Sequence, residues 1–365
     1  MPDVLPLHPV NRGHLEVLGD EIGIMQHASG SRPDPAHGYC TDDIARALQV
    51  DLLHQRELGW PAVAESAWRN LRFLTDALDR SMGRFRNFRG VDGAWLDGMG
   101  SEDCHGRAML ALGETIAAAP DRDLAEAAQR LFADALPAAL RLGPLRARAS
   151  VLLGCDVAQR AAPTQATGHA YRLLAERFRS TFDSRPATAW PWPESRLTYE
   201  NALPARALLV AGRYLDSAAT ITSGIKLIDW LFDVQTGAAG QLSPIGNGWW
   251  PAGGERSRFD QQPIEATSLL LAAESAFEHT GDPAYLVAIE RAYGWFLGAN
   301  DVGVAVAVPE RGASHDGLTA AGVNSNQGAE STLMWLIALE HVRAIRGEQP
   351  DLHPQLARVL TTSTA

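Results

Sequence analysis

The chain has 365 residues, 43 of them acidic and 32 basic, for a formal charge of −11, with 46% hydrophobic and 21% charged residues. That is the balance of a folded protein with a sizeable core, and its acidity argues against non-specific binding to nucleic acid or to anionic membranes. Cys40, Cys104 and Cys155 lack the spacing of a disulfide framework or zinc ribbon, and neither a signal peptide nor an apolar run of about 18 residues is visible, so a soluble, cytoplasmic protein without membrane insertion is expected.

Helical periodicity dominates from residue 41 onward. TDDIARALQVDLLHQREL is followed across Gly59, Trp60 and Pro61 by AVAESAWRNLRFLTDAL, with apolar residues at three- and four-residue spacing in both. The strand-like GRFRNFRG comes next. SEDCHGRAMLALGETIAAA then pairs with DLAEAAQRLFADALPAALRL across Pro120, and LRARASVLLGCDVAQRA with TQATGHAYRLLAERFRSTF across Pro163. LTYENALPARALLVAGRYL pairs with SAATITSGIKLIDWLFDVQ, and FDQQPIEATSLLLAAESAFEHTG with PAYLVAIERAYGWFLGAN. NSNQGAESTLMWLIALEHVRAI closes the series; its partner is either the opening GHLEVLGDEIGIMQHA or the tail LHPQLARVL.

These are six helical hairpins at an irregular spacing of roughly 45–65 residues, too long and too variable for a regular solenoid. The first helix of each pair turns small and apolar, as in RAMLALGE and SLLLAAE, whereas the second is richer in Arg and Glu. A helix apolar nearly all round belongs inside, and an amphipathic one covers it. The pattern predicts an all-α (α/α)6 barrel with strand-like inserts in its loops, as one domain over residues 1–365.

In such a barrel the inner helices all run the same way, so the residues that open them meet at one end. Those residues are Asp42 and Asp43; Glu102 and Asp103; Glu200 and Asn201; Asp260, Gln261, Gln262 and Glu265; and Asn324, Asn326, Gln327 and Glu330. Each alone is also an ordinary helix start, because the positive end of the helix dipole favours acids and caps. Recurrence in five of six inner helices, with amides beside the acids, points instead to a shared site that binds hydroxyl groups.

The flanking loops add Tyr39, Trp95, Trp190, Trp192, Glu194, Tyr199, Trp249 and Trp250. Trp68, Trp230, Trp295 and Trp335, within helices, read as core. An aromatic face beside amides and carboxylates suits a sugar ring, apolar on its C–H face and hydroxylated at its edge. Arg107, Arg196 and Arg258 would neutralise part of the acid cluster or hold a charged sugar. Asp42-Asp43 resembles the Asp-rich metal motif of terpene synthases, but Arg46 stands where that motif needs a third carboxylate; neither metal nor cofactor is expected. No GxxxxGK, HExxH or GxSxG motif occurs.

The stretches HGYCTDDIARAL, SEDCHGRAMLALG, WPWPESRLTYENALPARALL, RFDQQPIEATSLLLA and GVNSNQGAESTLMWLIALE, spanning roughly residues 20 to 345, resemble a group of bacterial six-hairpin glycosidase-like proteins that often accompany glycosyltransferases. The resemblance implies an (α/α)6 barrel, an oligosaccharide or polysaccharide substrate, and a functional association with a glycosyltransferase. It implies glycoside hydrolysis by paired carboxyl groups, one protonated and one ionised. Asp43 and Asp103 are the expected pair, with Glu200, Asp260 and Glu330 as alternatives, and inversion is the outcome expected by analogy. Asp42 would bind hydroxyls or cap its helix, His37 and Tyr39 would line the pocket, and Gln261, Gln262, Asn324 and Gln327 would orient hydroxyls. The related N-acylglucosamine 2-epimerases rely on histidines; His37, His105 and His315 fall near the rim but in no matching motif. Alternatives are a phosphorylase using Arg107 or Arg258, a sugar epimerase, a lyase using Tyr39 and His37, and a non-catalytic glycan-binding partner of a glycosyltransferase.

Overall fold

The computed structural model describes residues 5–183 and 190–348. Its helices in chain order are α1 (Gly13–Leu18), α2 (Thr41–Leu58), α3 (Ala64–Ala77), α4 (Glu102–Ala118), α5 (Arg122–Ala139), α6 (Leu145–Ala161), α7 (Gln165–Asp183), α8 (Ala202–Tyr214), α9 (Ala218–Val234), α10 (Pro263–Thr280), α11 (Ala284–Phe296) and α12 (Ala329–Glu348). The even-numbered helices pack side by side, each on the next, and α12 returns to α2 to close the ring. Helices α3, α5, α7, α9 and α11 cover the outside of their hairpin partners. The sixth outer place is taken by short α1, which packs on α12; the tail LHPQLARVL lies outside the described residues. This is the (α/α)6 barrel that the alternation of apolar and amphipathic helices predicts.

Local chemistry sets the helix ends. Ser101 Oγ accepts from Cys104 N at 3.0 Å to start α4, Asp121 accepts from the amides of Asp123 and Leu124 to start α5, and Ser217 caps α9. Pro263 opens α10, where its missing N–H costs nothing, and Gly281 ends it with φ of 67°. Inner helices bury several faces. On α4, Ala108, Met109, Ala111 and Leu112 are all inaccessible, whereas α3 buries a single stripe containing Ala67, Leu71 and Leu74. Trp295 and Trp335 are fully buried, with Trp68 and Trp230 half-buried against the same core.

Two inner helices approach almost backbone to backbone. A Cβ on Gly113 of α4 would stand 2.4 Å from the carbonyl oxygen of Gly154 on α6, and one on Gly154 would stand 2.6 Å from that of Met109. Backbone cannot yield as a flexible side chain does. Gly113→Ala is therefore expected to destabilise the fold by about 1–3 kcal/mol despite alanine's better helix propensity. Denaturant unfolding measures this, and an unchanged midpoint would mean that α4 and α6 can move apart freely.

The connections differ sharply between the two ends. Turns from inner to outer helices are short: 59–63, 119–121, 162–164, 215–217 and 281–283. Connections from outer to inner helices are long, with described residues running over 19–40, 78–101, 190–201, 235–262 and 297–328, and 140–144 the exception. Two-residue antiparallel ladders stitch them together, such as Tyr39–Cys40 with Phe88–Arg89 and Arg196–Leu197 with Trp250–Pro251. GRFRNFRG supplies the strands Arg84–Phe85 and Phe88–Arg89 to two of these ladders. The long loops therefore wall the end where all six inner helices begin, which is where the acids and amides of the sequence gather.

Candidate active site

Two arginines organise the rim. Arg46, on the second turn of α2 and 2% exposed, lies 3.0 Å from Asp43 Oδ1 through Nη1 and 2.9 Å from Glu330 Oε2 on α12 through Nη2. Arg107 on α4 lies 2.9 Å from Asp42 Oδ1 and 2.9 Å from Glu200 Oε2. Each guanidinium thus bridges two carboxyl groups, using the planar fork that suits arginine to this task. A third, Arg146 on α6, donates to Glu194 Oε2 at 2.9 Å, to Asn201 Oδ1 at 2.8 Å and to the Tyr199 carbonyl, with its guanidinium 4.7 Å from the centre of the Tyr199 ring.

The segment before α8 binds these clamps into one ring. Tyr199 donates its hydroxyl to Asp103 Oδ2, while Asp103 Oδ1 is buried without a partner among the described residues. Glu200 sits in the left-handed region with φ of 48°, an uncommon conformation for a residue with a side chain. Its amide donates to Glu265 Oε1 on α10, and Glu265 Oε2 accepts from Asn201 Nδ2 at 3.2 Å. All six inner helices or their lead-ins therefore contribute, and the strained backbone at Glu200 is held from both sides.

Charge is unbalanced here. Among the described residues, Asp42, Asp43, Asp103, Glu194, Glu200, Glu265 and Glu330 share Arg46, Arg107 and Arg146, with Arg148 also acting on Glu194. Burial and neighbouring like charges both favour the protonated form of a carboxyl group. Burial, reinforced by the nearby Glu330 and Asp42 and only partly offset by Arg46, pushes Asp43 up to about 7. Burial likewise pushes Glu265 up to about 7, against its hydrogen bonds. Burial also works against ionisation of Asp42, yet Arg107 and Arg46 hold it below the usual carboxylate range. At neutral pH Asp42 is therefore ionised while its neighbour Asp43 is poised to gain or lose a proton, the division of labour that acid–base chemistry needs.

The Asp43 carboxyl also ties stability to pH. Its folded pKa lies above its unfolded one, so its contribution to stability is complete below about pH 4 and is lost as pH rises through about 7. Asp43→Asn has no proton to lose at this position. Its melting temperature is expected to rise relative to the wild type between about pH 4 and 8. A difference that stays flat over that range would place Asp43 in its ionised form throughout.

The remaining sequence-derived candidates divide by placement. The clamps link Asp43 to Glu330 and Asp42 to Glu200, while no hydrogen bond or ion pair joins Asp43 to Asp103. Asp260 is exposed in a left-handed turn with φ of 59°, apart from these contacts. Gln261 is fully buried beneath the rim, donating to Asp301 Oδ2 at 2.7 Å and accepting from Trp295 Nε1 at 2.8 Å, and so holds the loops together. Gln262 is half-buried at the head of α10. Gln327 is buried, with its Oε1 unpaired among the described residues, and Asn324 is exposed, its Oδ1 accepting from Asn326 N.

Trp192 is buried and donates to Glu194 Oε2 at 3.1 Å; Trp190 is half-buried and packs edge-on against Trp230 and Trp250. Tyr39 is buried and donates to Asp20. Arg258 is exposed, 3.8 Å from Asp301, and Arg196 lies over exposed Trp249. His37 is exposed beside His27 and Asp34. His105 is core: burial, aided by Arg84, pushes its pKa down to about 3. His315 is half-buried with Nδ1 unpaired among the described residues. Sequence reasoning missed Arg146 and used Arg46 only to argue against a metal. The signal for both was a basic residue inside the first two turns of an inner helix whose neighbours open with acids.

No family model and no curated protein matches the sequence. Solved structures do match its fold. A cellobiose 2-epimerase from Bacillus thermoamylovorans superposes with a TM-score of 0.70 at 14% identity, over 92% of this chain and 96% of the other. A GH76 α-mannanase from Bacteroides thetaiotaomicron superposes with a TM-score of 0.60 at 7% identity, over 90% and 93%. A family 9 endoglucanase gives a TM-score of 0.54 at 14% identity, over 88% and 74%. At these identities the likeness is one of fold, and it places the chain among six-hairpin (α/α)6 structures.

Proposed function

We propose that this chain is a carbohydrate-active enzyme that moves protons on a sugar held at the acidic rim, in the manner of an epimerase or isomerase, with Asp43 as the general acid and base. The observation that carries this reading is a buried carboxyl pushed up to about 7 and lying 3.0 Å from the guanidinium of Arg46. A group with that pKa can take and return a proton at neutral pH. Removing a proton beside a sugar carbonyl builds negative charge on oxygen, which a fixed guanidinium in a water-poor site stabilises. Glycoside cleavage builds positive charge on the ring instead, which Arg46 and Arg107 oppose. The sugar and cellobiose 2-epimerases with which this chain shares its fold over nine-tenths or more of its length support the same reading.

Hydrolysis is the second reading, and the acid surplus favours it. Asp43 would be the proton donor, and Glu330, with its side chain 40% exposed, the base that activates water.

Incubation in D2O with reducing aldoses and disaccharides separates the two by NMR. Deuterium entering at the carbon beside the carbonyl, together with a new epimer or ketose, is the expected result. A new reducing end without such exchange would make the enzyme a glycosidase and overturn the proton-transfer reading. Sugar binding without turnover would leave the chain as a glycan-binding partner, such as one serving a glycosyltransferase.

A further inference from the structure

Beneath the arginine clamps, a cavity of about 370 Å³ runs down the barrel axis. Arg46, Arg107 and Glu200 form its roof, and Leu53, Leu110 and Leu271 line its middle. Its far end is polar again. Glu114, Glu274 and His341 lie about three turns into α4, α10 and α12, joined there by Gln49, Arg206 and Arg56. Exposed Arg56 and Ala117 mark a mouth on the side of the short turns, opposite the rim.

The acids at this end are already occupied. Glu114 accepts from Gln49 Nε2 at 2.8 Å, and Glu274 lies 2.7 Å from His341 Nδ1. Burial disfavours the charged form of Glu114, whereas Glu274 holds His341 above its ordinary value against the effect of burial. The cations are not matched in the same way. Arg206 and Arg56 favour the charged forms of Glu114 and Glu274 from a distance, but among the described residues Arg206 makes a hydrogen bond through Nε alone, to Ser275 Oγ at 3.1 Å, and no carboxylate lies within 4.0 Å of either guanidinium. The rim arginines, in contrast, each bridge acids. Helices α10 and α12 continue six and seven residues beyond Glu274 and His341, so their negative ends lie past the range of a dipole effect, whereas α2 and α4 end at Leu58 and Ala118 beside Arg56 and Ala117, and the two guanidinium charges must outweigh those ends to hold an anion.

We propose that the far end of the axial cavity is an anion-binding site, taking a phosphate or carboxylate group between Arg206 and Arg56 with His341 alongside. Guanidinium forks match the oxygens of both groups, and the leucine-lined section above accommodates the body of an organic ligand. The site shares the axial cavity with the rim but uses a separate set of side chains.

Calorimetric titration of the full chain with inorganic phosphate and with phenyl phosphate tests this. Saturable one-to-one binding is expected, weakened tenfold or more by Arg206→Gln and by Arg56→Gln. Arg56 is exposed, so its variant keeps the test valid should Arg206→Gln misfold. Phenyl phosphate binding at least tenfold tighter than phosphate assigns the site to an organic anion; equal affinity assigns it to the free ion. No saturable binding of either probe, or wild-type affinity in the Arg206→Gln, Arg56→Gln double variant, overturns the proposal.

Discussion

Asp43→Asn is expected to lower turnover on the sugar by about 10²–10⁴-fold, the usual contribution of a positioned acid or base, while the protein still folds. Asparagine keeps the shape of the protonated carboxyl and can still meet Arg46, but it cannot exchange a proton. Substrate affinity, set by the surrounding acids and arginines, should change far less than kcat. The wild-type pH–rate profile should show a limb near 7, where Asp43 titrates, and the residual rate of the variant should lack it. Asp43→Glu, which keeps the group but displaces it, should recover part of the activity. Turnover within twofold of the wild type in Asp43→Asn would remove this residue from the chemistry.

Arg107→Met is expected to cost about 3–5 kcal/mol of stability, the largest loss among single substitutions at the rim. The methionine fills much of the space but leaves Asp42 and Glu200, with side chains 13% and 15% exposed, as buried acids without their shared cation. Arg107 also helps keep Asp42 below the usual carboxylate range. That stabilisation is present above the unfolded pKa of about 4 and is lost as pH falls through the folded one, so the deficit of the variant should shrink in acid. Arg107→Lys should recover only part of the loss, because a single ammonium does not span both carboxyls as the fork does. Urea unfolding at several pH values measures all of this; a deficit that stays constant into acid would mean that Arg107 acts through packing and not through charge.

Much of this architecture is legible in the amino-acid order. Spacing separates inner from outer helices, because a helix such as α4 with alanine, methionine and leucine on most faces has no stable place in water. Parallel inner helices then force Asp42, Asp103, Glu200, Glu265 and Glu330 towards one end. Pairing is another matter. Glu265 and Asp260 are five residues apart, yet Pro263 starts α10 between them, so one enters the ring and the other stays in an exposed turn. Trp192 and Gln261 read as pocket residues because aromatic and amide groups in loops often face ligands. Here the loops are thick enough to have an interior of their own, and Trp192 and Gln261 fill it. Arg46 and Arg146 show the same limit: a basic residue in a helix gives no hint of which distant acid it will meet.

The contact between α2 and α12 carries a consequence for how the molecule comes into being. These two helices are neighbours in space but lie far apart in the described chain, so the toroid stays an open horseshoe until α12 emerges from the ribosome and docks. Until then one flank of the first inner helix faces solvent, and Arg46 must wait for Glu330. Catalytic competence should therefore arrive last, in a single sealing event.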